Sequence, residues 1–378
     1  MSKKIFLVAG EPSGDLHASK LAAELKRLDP GVSLAGVGGK NMASAGVSLL
    51  RDSSQLAIIG LQDILRHLGK IRGLFRSVIA EVTERHFDLV ILVDYPGFNL
   101  RLARELKKRG IKVIYFVSPQ VWAWGSGRIK TIRECVQKIL VFFKFEEDLY
   151  KKSGVPVEFV GHPLLDSVNS EADGRALTER LRLDRSKKTV LLLPGSRMRE
   201  VTSLLPTMAM ASQKLYEKFQ DIQFIVVKPH SLDEGLYKSR LGRLKAPYSL
   251  VENAGGRLYE CMAVSDLALV ASGTATLECA IMGLPMVITY KVSLLSAFVM
   301  KSFMRVSTIG LVNILAGRKV VPELVQFDFT AGNLFKEASK ILSDKDEGAR
   351  IKAELSEIKK SLGEKGASRR AALSVLAS

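Results

Sequence analysis

Short runs of consecutive apolar, mostly β-branched residues recur along the chain. The clearest are Ile5–Val8, Leu89–Val93, Val113–Phe116, Ile139–Phe142, Val190–Leu193, Phe224–Val227, Leu267–Val270 and Met286–Thr289. A strand wetted on one face alternates apolar and polar side chains, whereas a strand covered on both faces is apolar throughout. Between the runs lie amphipathic stretches at helical period, such as Leu16–Leu28 and Leu100–Lys108. The alternation predicts an α/β chain of doubly wound, Rossmann-like parallel sheets.

At roughly 150 residues per domain, 378 residues make two or three domains. The strand pattern lapses after Gly161-His162-Pro163, turns polar through Asn169–Arg175, and restarts at Thr189. We therefore expect a first domain over 1–165 and a second over 166–345. Basic helices over 346–378 should pack back on the first. Cys135, Cys261 and Cys279 have no paired spacing, which argues against a disulfide scaffold and a thiolate zinc site. The scattered histidines add no metal site. No uncharged run reaches the ~18 residues of a membrane span. The apolar start meets Glu11 and Asp15 too soon for a signal peptide, so a cytoplasmic protein is expected. Lys+Arg 56 against Asp+Glu 39 leaves a charge of +17. That excess suits RNA, an anionic membrane surface or phosphorylated ligands.

In open α/β sheets, ligands bind beyond the carboxyl ends of the strands. The unusual residues fall there: Gly10–Asp15, Asp94–Asn99, Ser118–Trp124, Pro194–Glu200 and Ala271–Glu278. If the two sheets face each other, these loops line one cleft. Asp94, placed directly after a strand, reads either as a turn or cap carboxylate or as a general base. Ser13 and Asp15 either cap the first helix or, with Glu11 and Gly14, meet a polar ligand. Ser196-Arg197 opens a helix, where a cation is mildly disfavoured unless an anion faces it. Ser272-Gly273-Thr274 joins hydroxyls, a small residue and free helix N–H groups, a phosphate signal. Glu278, one turn later, suits a ribose diol, and Gly256 a nucleobase through its main chain. His162 reads as structural or as a cleft residue. Neither a dinucleotide fingerprint nor a G-x-x-x-x-G-K-[ST] phosphate loop is present.

An apolar stripe at helical period runs over about 61–79, with Leu61, Leu65, Leu68, Leu74 and Phe75 on it, led in by Ile59. Arg66, Lys70, Arg72 and Arg76 accompany it. Such a helix either packs on the core or lies in an anionic headgroup layer, and here we expect a membrane face. A nucleic-acid binder would interleave bases with stacking aromatics on one face. Trp122 and Trp124 instead share one loop and the bases are dispersed, so no nucleic-acid partner is expected.

Taken in order, Val8–Asp15, Val93-Asp94-Tyr95-Pro96, Ser118–Trp124, Phe159–Pro163, Leu193–Arg197 with Glu200, Ser272–Glu278, and Asn313–Arg318 with Pro322–Gln326 resemble the lipid-A-disaccharide synthases over nearly the whole chain. These are inverting glycosyltransferases of the two-Rossmann-domain, GT-B type. The resemblance implies UDP-2,3-diacylglucosamine as donor and 2,3-diacylglucosamine 1-phosphate as acceptor, with no cofactor and no metal. It implies Asp94 as base. It places UDP at Ser196, Arg197, Gly256, Ser272, Gly273, Thr274 and Glu278. It places Asn313 and Gln326 at the cleft, and from their strand-end positions we expect Glu11, Ser13, Gly14, Asp15, Trp122 and His162 in the same acceptor or cleft group. The cytoplasmic face of an anionic inner membrane is the expected surface, and a homodimer is compatible with it. Another GT-B UDP-sugar transferase or an epimerase is the alternative.

Overall fold

The computed structural model describes residues 3–52, 64–122, 127–242, 244–292 and 308–378, with side chains of the helix at 64–84 described from residue 71. The chain divides into two compact units, Met1–Pro163 with Leu362–Ser378, and Leu164–Ser361. The expected C-terminal helical segment is therefore split rather than packed as one piece on the first domain.

The first unit holds β1 (Lys4–Ala9), α1 (Pro12–Leu28), β2 (Ser33–Gly38), α2 (Lys40–Ser44), β3 (Ser48–Asp52), α3 (Ile64–Glu84), β4 (Leu89–Val93), α4 (Pro96–Lys108), β5 (Lys112–Phe116), α5 (Arg128–Cys135), β6 (Lys138–Val141), α6 (Lys144–Lys152) and β7 (Val157–Phe159). The strands pair in parallel in the order β3-β2-β1-β4-β5-β6-β7. Apolar layers cover both faces, as the unbroken hydrophobic runs require. One is led by Phe6, Val90, Leu92 and Tyr115 under α3 and α4. The other is led by Ile5, Leu7, Ile91 and Phe116 under α1. Leu21 and Leu25 of α1 are fully buried there, each worth ~1.5–3 kcal/mol.

The second unit holds α7 (Leu164–Ser167), α8 (Arg175–Leu181), β8 (Lys188–Leu193), α9 (Met198–Phe219), β9 (Ile222–Pro229), α10 (Glu234–Leu241), β10 (Tyr248–Asn253), α11 (Arg257–Ala263), β11 (Leu267–Ala271), α12 (Thr274–Met282), β12 (Met286–Tyr290), α13 (Leu311–Ala316), β13 (Glu323–Val325), α14 (Ala331–Ser343) and α15 (Lys345–Ser361). Its sheet is also parallel, ordered β10-β9-β8-β11-β12-β13. The last helix, α16 (Ala367–Leu376), returns to the first unit. There its buried Ala371, Ala372 and Val375 join the layer under α1. By contrast α15 packs with its own unit on α12, α13 and α14.

Strand order reverses direction beside β1 in one sheet and beside β8 in the other. At such switch points the loops leaving neighbouring strands diverge to opposite faces and open a crevice. In the first sheet Ala9 is in register with Val93, which sets Gly10–Asp15 beside Asp94. In the second, Val270 is in register with Leu193, which sets Ser272 beside Pro194–Arg197.

Candidate active site

The chain bends sharply after β4. Asp94 and Tyr95 both adopt left-handed backbone angles, φ 48° and 45°. Two such non-glycine residues in succession cost about 1–2 kcal/mol each. The turn is held by three hydrogen bonds: the Asp94 N–H donates to the Phe116 carbonyl at 3.1 Å, and its own carbonyl accepts from Asn99 Nδ2 at 2.8 Å and from the Tyr115 hydroxyl at 2.5 Å. Pro96 then opens α4, where its fixed φ and missing N–H suit the first turn. The Tyr95 ring lies over Gly10, where a Cβ would come within 2.4 Å of it, so only glycine admits this approach.

The Asp94 carboxyl lines a cavity of about 260 Å³ with Pro96, Ser118, Gln120, Trp122, Arg128, Phe142, Phe143 and Glu146. Burial first, and the Glu11 charge second, push its pKa up to about 6. A carboxylate poised there is ionised at neutral pH yet remains a competent proton acceptor. Asn99 and Tyr115 were not singled out from the sequence: their roles exist only once α4 and β5 flank the turn. Glu146, in the first turn of α6, is 3% exposed. Burial pushes its pKa up to about 8, with the Ser118 hydroxyl and Trp122 indole acting against the rise.

Several expected contacts are corrected. Both carboxylate oxygens of Asp15 are engaged by the main chain, accepting from Gly39 (2.7 Å), Asn41 and Met42 (both 3.1 Å). The buried Asp15 thus fastens the β2–α2 turn to α1, in place of the expected ligand contact. Gly14 is buried against Val93, while Glu11 and Ser13 stay exposed at the opening of α1. His162 packs against the Phe142 and Phe143 rings. Burial holds its pKa down at about 3, so it is neutral.

Asn313 is fully buried. Its Nδ2 donates to the Val321 carbonyl and to Glu323, and its Oδ1 accepts from the Val320 and Val321 N–H groups. Gln326 clasps Val292 with a reciprocal pair, at 2.7 and 2.9 Å. Both amides hold loops of the second sheet, and Asn313 has all four of its hydrogen-bonding positions filled by the protein.

Of the residues expected at UDP, all but Gly256 line one cavity in the second unit. Ser196, Arg197, Glu200, Asn253, Leu258, Ser272, Gly273, Thr274 and Glu278 line a cavity of about 370 Å³ beyond β8 and β11. Gly195 has φ +109°, and a Cβ on it would sit 2.4 Å from Glu200 Oε2. That close turn lets Glu200 accept from the Ser196 and Arg197 N–H groups at 2.9 and 3.2 Å, capping α9. The Arg197 side chain is 83% exposed and touches Glu200 only at 3.5 Å. A loose surface pair of this kind leaves the guanidinium available to an anion. Tyr259 donates to Glu278 at 3.0 Å, and burial raises the Glu278 pKa. Gly256 is left-handed at the start of α11 and does not line the cavity, although Leu258, two residues on, does.

On α3, Ile71, Leu74, Phe75 and Ile79 are half-buried against the core, and Val78 and Val82 are fully inside. Leu74 and Phe75 thus each pack partly on the core, because the sheet beneath supplies apolar surface. Arg72 and Arg76 are exposed. Ile59 and Leu61, the side chains of Leu65 and Leu68, and Trp124 lie outside the described residues. No helix among the described residues is long and apolar enough to cross a membrane.

Two parallel-sheet α/β units, each with a crevice at its switch point, define the GT-B class of fold. Solved structures agree on the fold. The glycosyltransferase of kitacinnamycin matches with a TM-score of 0.66 at 17% identity, covering 100% of this chain and 99% of that one. The UDP-GlcNAc 2-epimerase from Neisseria meningitidis bound to UDP-GlcNAc matches with 0.63 at 11% identity over 100% of both chains. The sequence model of lipid-A-disaccharide synthetase matches residues 5–377. Lipid-A-disaccharide synthase from Geobacter sulfurreducens is 43% identical over 375 residues, 99% of this chain and 97% of the relative. The Myxococcus xanthus enzyme is 39% identical over 373 residues, with the same coverage. The chain belongs to the lipid-A-disaccharide synthetase family.

Proposed function

We propose that the chain joins UDP-2,3-diacylglucosamine to 2,3-diacylglucosamine 1-phosphate, giving the β-1,6-linked disaccharide 1-phosphate and UDP. Family membership supports the substrate pair. The observation that carries the reaction type is Asp94, a half-buried carboxylate of raised pKa on a strained turn beyond a central strand. It takes the proton of the acceptor 6-hydroxyl as that oxygen bonds to the donor anomeric carbon. The bond from that carbon to the UDP oxygen breaks, its electron pair leaves with UDP, and configuration inverts from α to β. No protein nucleophile is needed for one displacement. UDP is a good leaving group, so the second unit mainly orients it and offsets charge. Arg197 and the opening of α12 at Ser272-Gly273-Thr274 suit the diphosphate, and Glu278 a ribose hydroxyl.

A second feature supports work at an anionic lipid surface. Ile71, Phe75, Tyr95 and Phe98 line a cavity of about 590 Å³ whose remaining wall carries Arg72, Arg76 and Arg101. An apolar trough edged by cations fits an acyl chain beneath an anionic headgroup. It adjoins Tyr95, next to the base. The cytoplasmic face of the inner membrane is the location this reading calls for. A trial of acylated against unacylated UDP-glucosamine separates it from a soluble-sugar transferase of the same fold. The acylated donor should be strongly preferred, and equal turnover of both would sink the lipid reading.

A further inference from the structure

Glu146 has no place in the reaction as written, yet it lines the same cavity as Asp94. It is 3% exposed, and its surroundings are largely aromatic: Phe142 and Phe143 line the cavity beside it, and Phe145 packs edge-on against Trp122 at 5.6 Å. The groups facing it number few. The Ser118 hydroxyl, which also meets the Pro119 carbonyl and the Tyr150 hydroxyl, and the Trp122 indole lie toward its carboxyl. Tyr150 comes from α6 itself, Arg128 from the start of α5, Asp94 from the end of β4, and His162 lies beyond the Phe143 ring. The next residue, Glu147, pairs instead with Lys144 and Lys151 outside. No cation within this set pairs with Glu146.

Resting on the proposed transfer, we propose that Glu146 is a second acceptor-binding group of this cavity, donating a hydrogen bond from its carboxyl to an acceptor-sugar oxygen while Asp94 receives the proton of the reacting hydroxyl. The geometry supports this division. Two carboxyls in one small cavity can serve as donor and acceptor only if their environments differ, and Glu146 is the more deeply buried. Burial keeps it protonated to about pH 8, whereas Asp94 ionises near 6. Between those values one group donates and the other accepts. Above them Glu146 becomes a charge that cannot donate, and acceptor binding weakens.

The test compares native enzyme, Glu146→Gln and Glu146→Ala in detergent with both acylated substrates, from pH 5 to 10. Glutamine keeps a donor but cannot ionise. Native kcat/KM for the acceptor should fall above about pH 8. Glu146→Gln should lose that fall and turn over faster than Glu146→Ala. Glu146→Ala should raise the acceptor KM by about tenfold, the loss of one buried hydrogen bond, with the donor KM unchanged. An alkaline fall that persists in Glu146→Gln overturns the inference, as does an unaltered acceptor KM in a folded Glu146→Ala. If the alanine variant melts near assay temperature, the pH profile of Glu146→Gln decides alone. Failure of the native enzyme to form disaccharide would instead overturn the proposed function and this inference with it.

Discussion

Replacing Glu11 by glutamine should move the acid limb of the reaction to lower pH without touching the base itself. Asp94 must be ionised to accept a proton, so rate is lost as pH falls through its pKa. With that value at about 6, about nine-tenths of the free enzyme is active at pH 7 and about one-tenth at pH 5. The plot of log kcat/KM should therefore bend near pH 6 and fall about tenfold by pH 5. Burial is the larger cause of the raised value and Glu11 the second, so Glu11→Gln should shift the bend downward but leave it above 3.8. Asp94→Asn should abolish the limb and reduce turnover by ~10²–10⁴. UDP affinity, set in the second unit, should be unchanged. The assay is initial-rate product formation across pH 4.5–8 with native, Glu11→Gln and Asp94→Asn proteins. A native limb below pH 4.5, an identical limb in Glu11→Gln, or near-native turnover by Asp94→Asn would refute the reasoning.

Three other outcomes follow from the same structure. His162, held at about 3 by burial against an ordinary 6.5, must stay neutral in the native state, so its contribution is present above 6.5 and lost on acidification. Native protein should lose about 2 kcal/mol at pH 5 and about 3 kcal/mol at pH 4 relative to His162→Gln, and denaturation curves parallel at every pH would contradict this. Arg197→Ala should weaken UDP binding by about tenfold or more with no change in melting, and calorimetry showing an unaltered Kd would remove Arg197 from the diphosphate site. Arg72→Ala with Arg76→Ala should release the protein from vesicles rich in phosphatidylglycerol while the melting temperature holds. Unchanged vesicle binding would exclude this face.

The central strands were legible because they are apolar on both faces, and a continuous hydrophobic run has few other uses. Others were not. Ser33–Gly38 is rich in glycine and small residues, and Ser48–Asp52 and Tyr248–Asn253 are half-exposed edges whose pattern is mixed. Helices α1 and α4 start a turn earlier than the sequence suggests, since Pro12 and Pro96 open them. The diphosphate cavity was readable because loop chemistry and strand-end position coincide at Ser196-Arg197 and Ser272–Thr274. Asn313 and Asp15 misled because a polar side chain looks the same in sequence whether it faces a ligand or its own backbone. Tyr115 and Glu146 carried no local signal at all, and Asn99 only its place in the loop after β4. Asn99 and Tyr115 take their meaning from the Asp94 carbonyl, 5 and 21 positions away, and Glu146 takes its meaning from the cavity it shares with Asp94.

The most direct measurement is the product itself. Purified protein given UDP-2,3-diacylglucosamine and 2,3-diacylglucosamine 1-phosphate should yield UDP and one tetraacyl disaccharide 1-phosphate by mass, with a β-1,6 linkage by proton coupling. Absence of the disaccharide, or an α linkage in it, would contradict an inverting transfer with Asp94 as base.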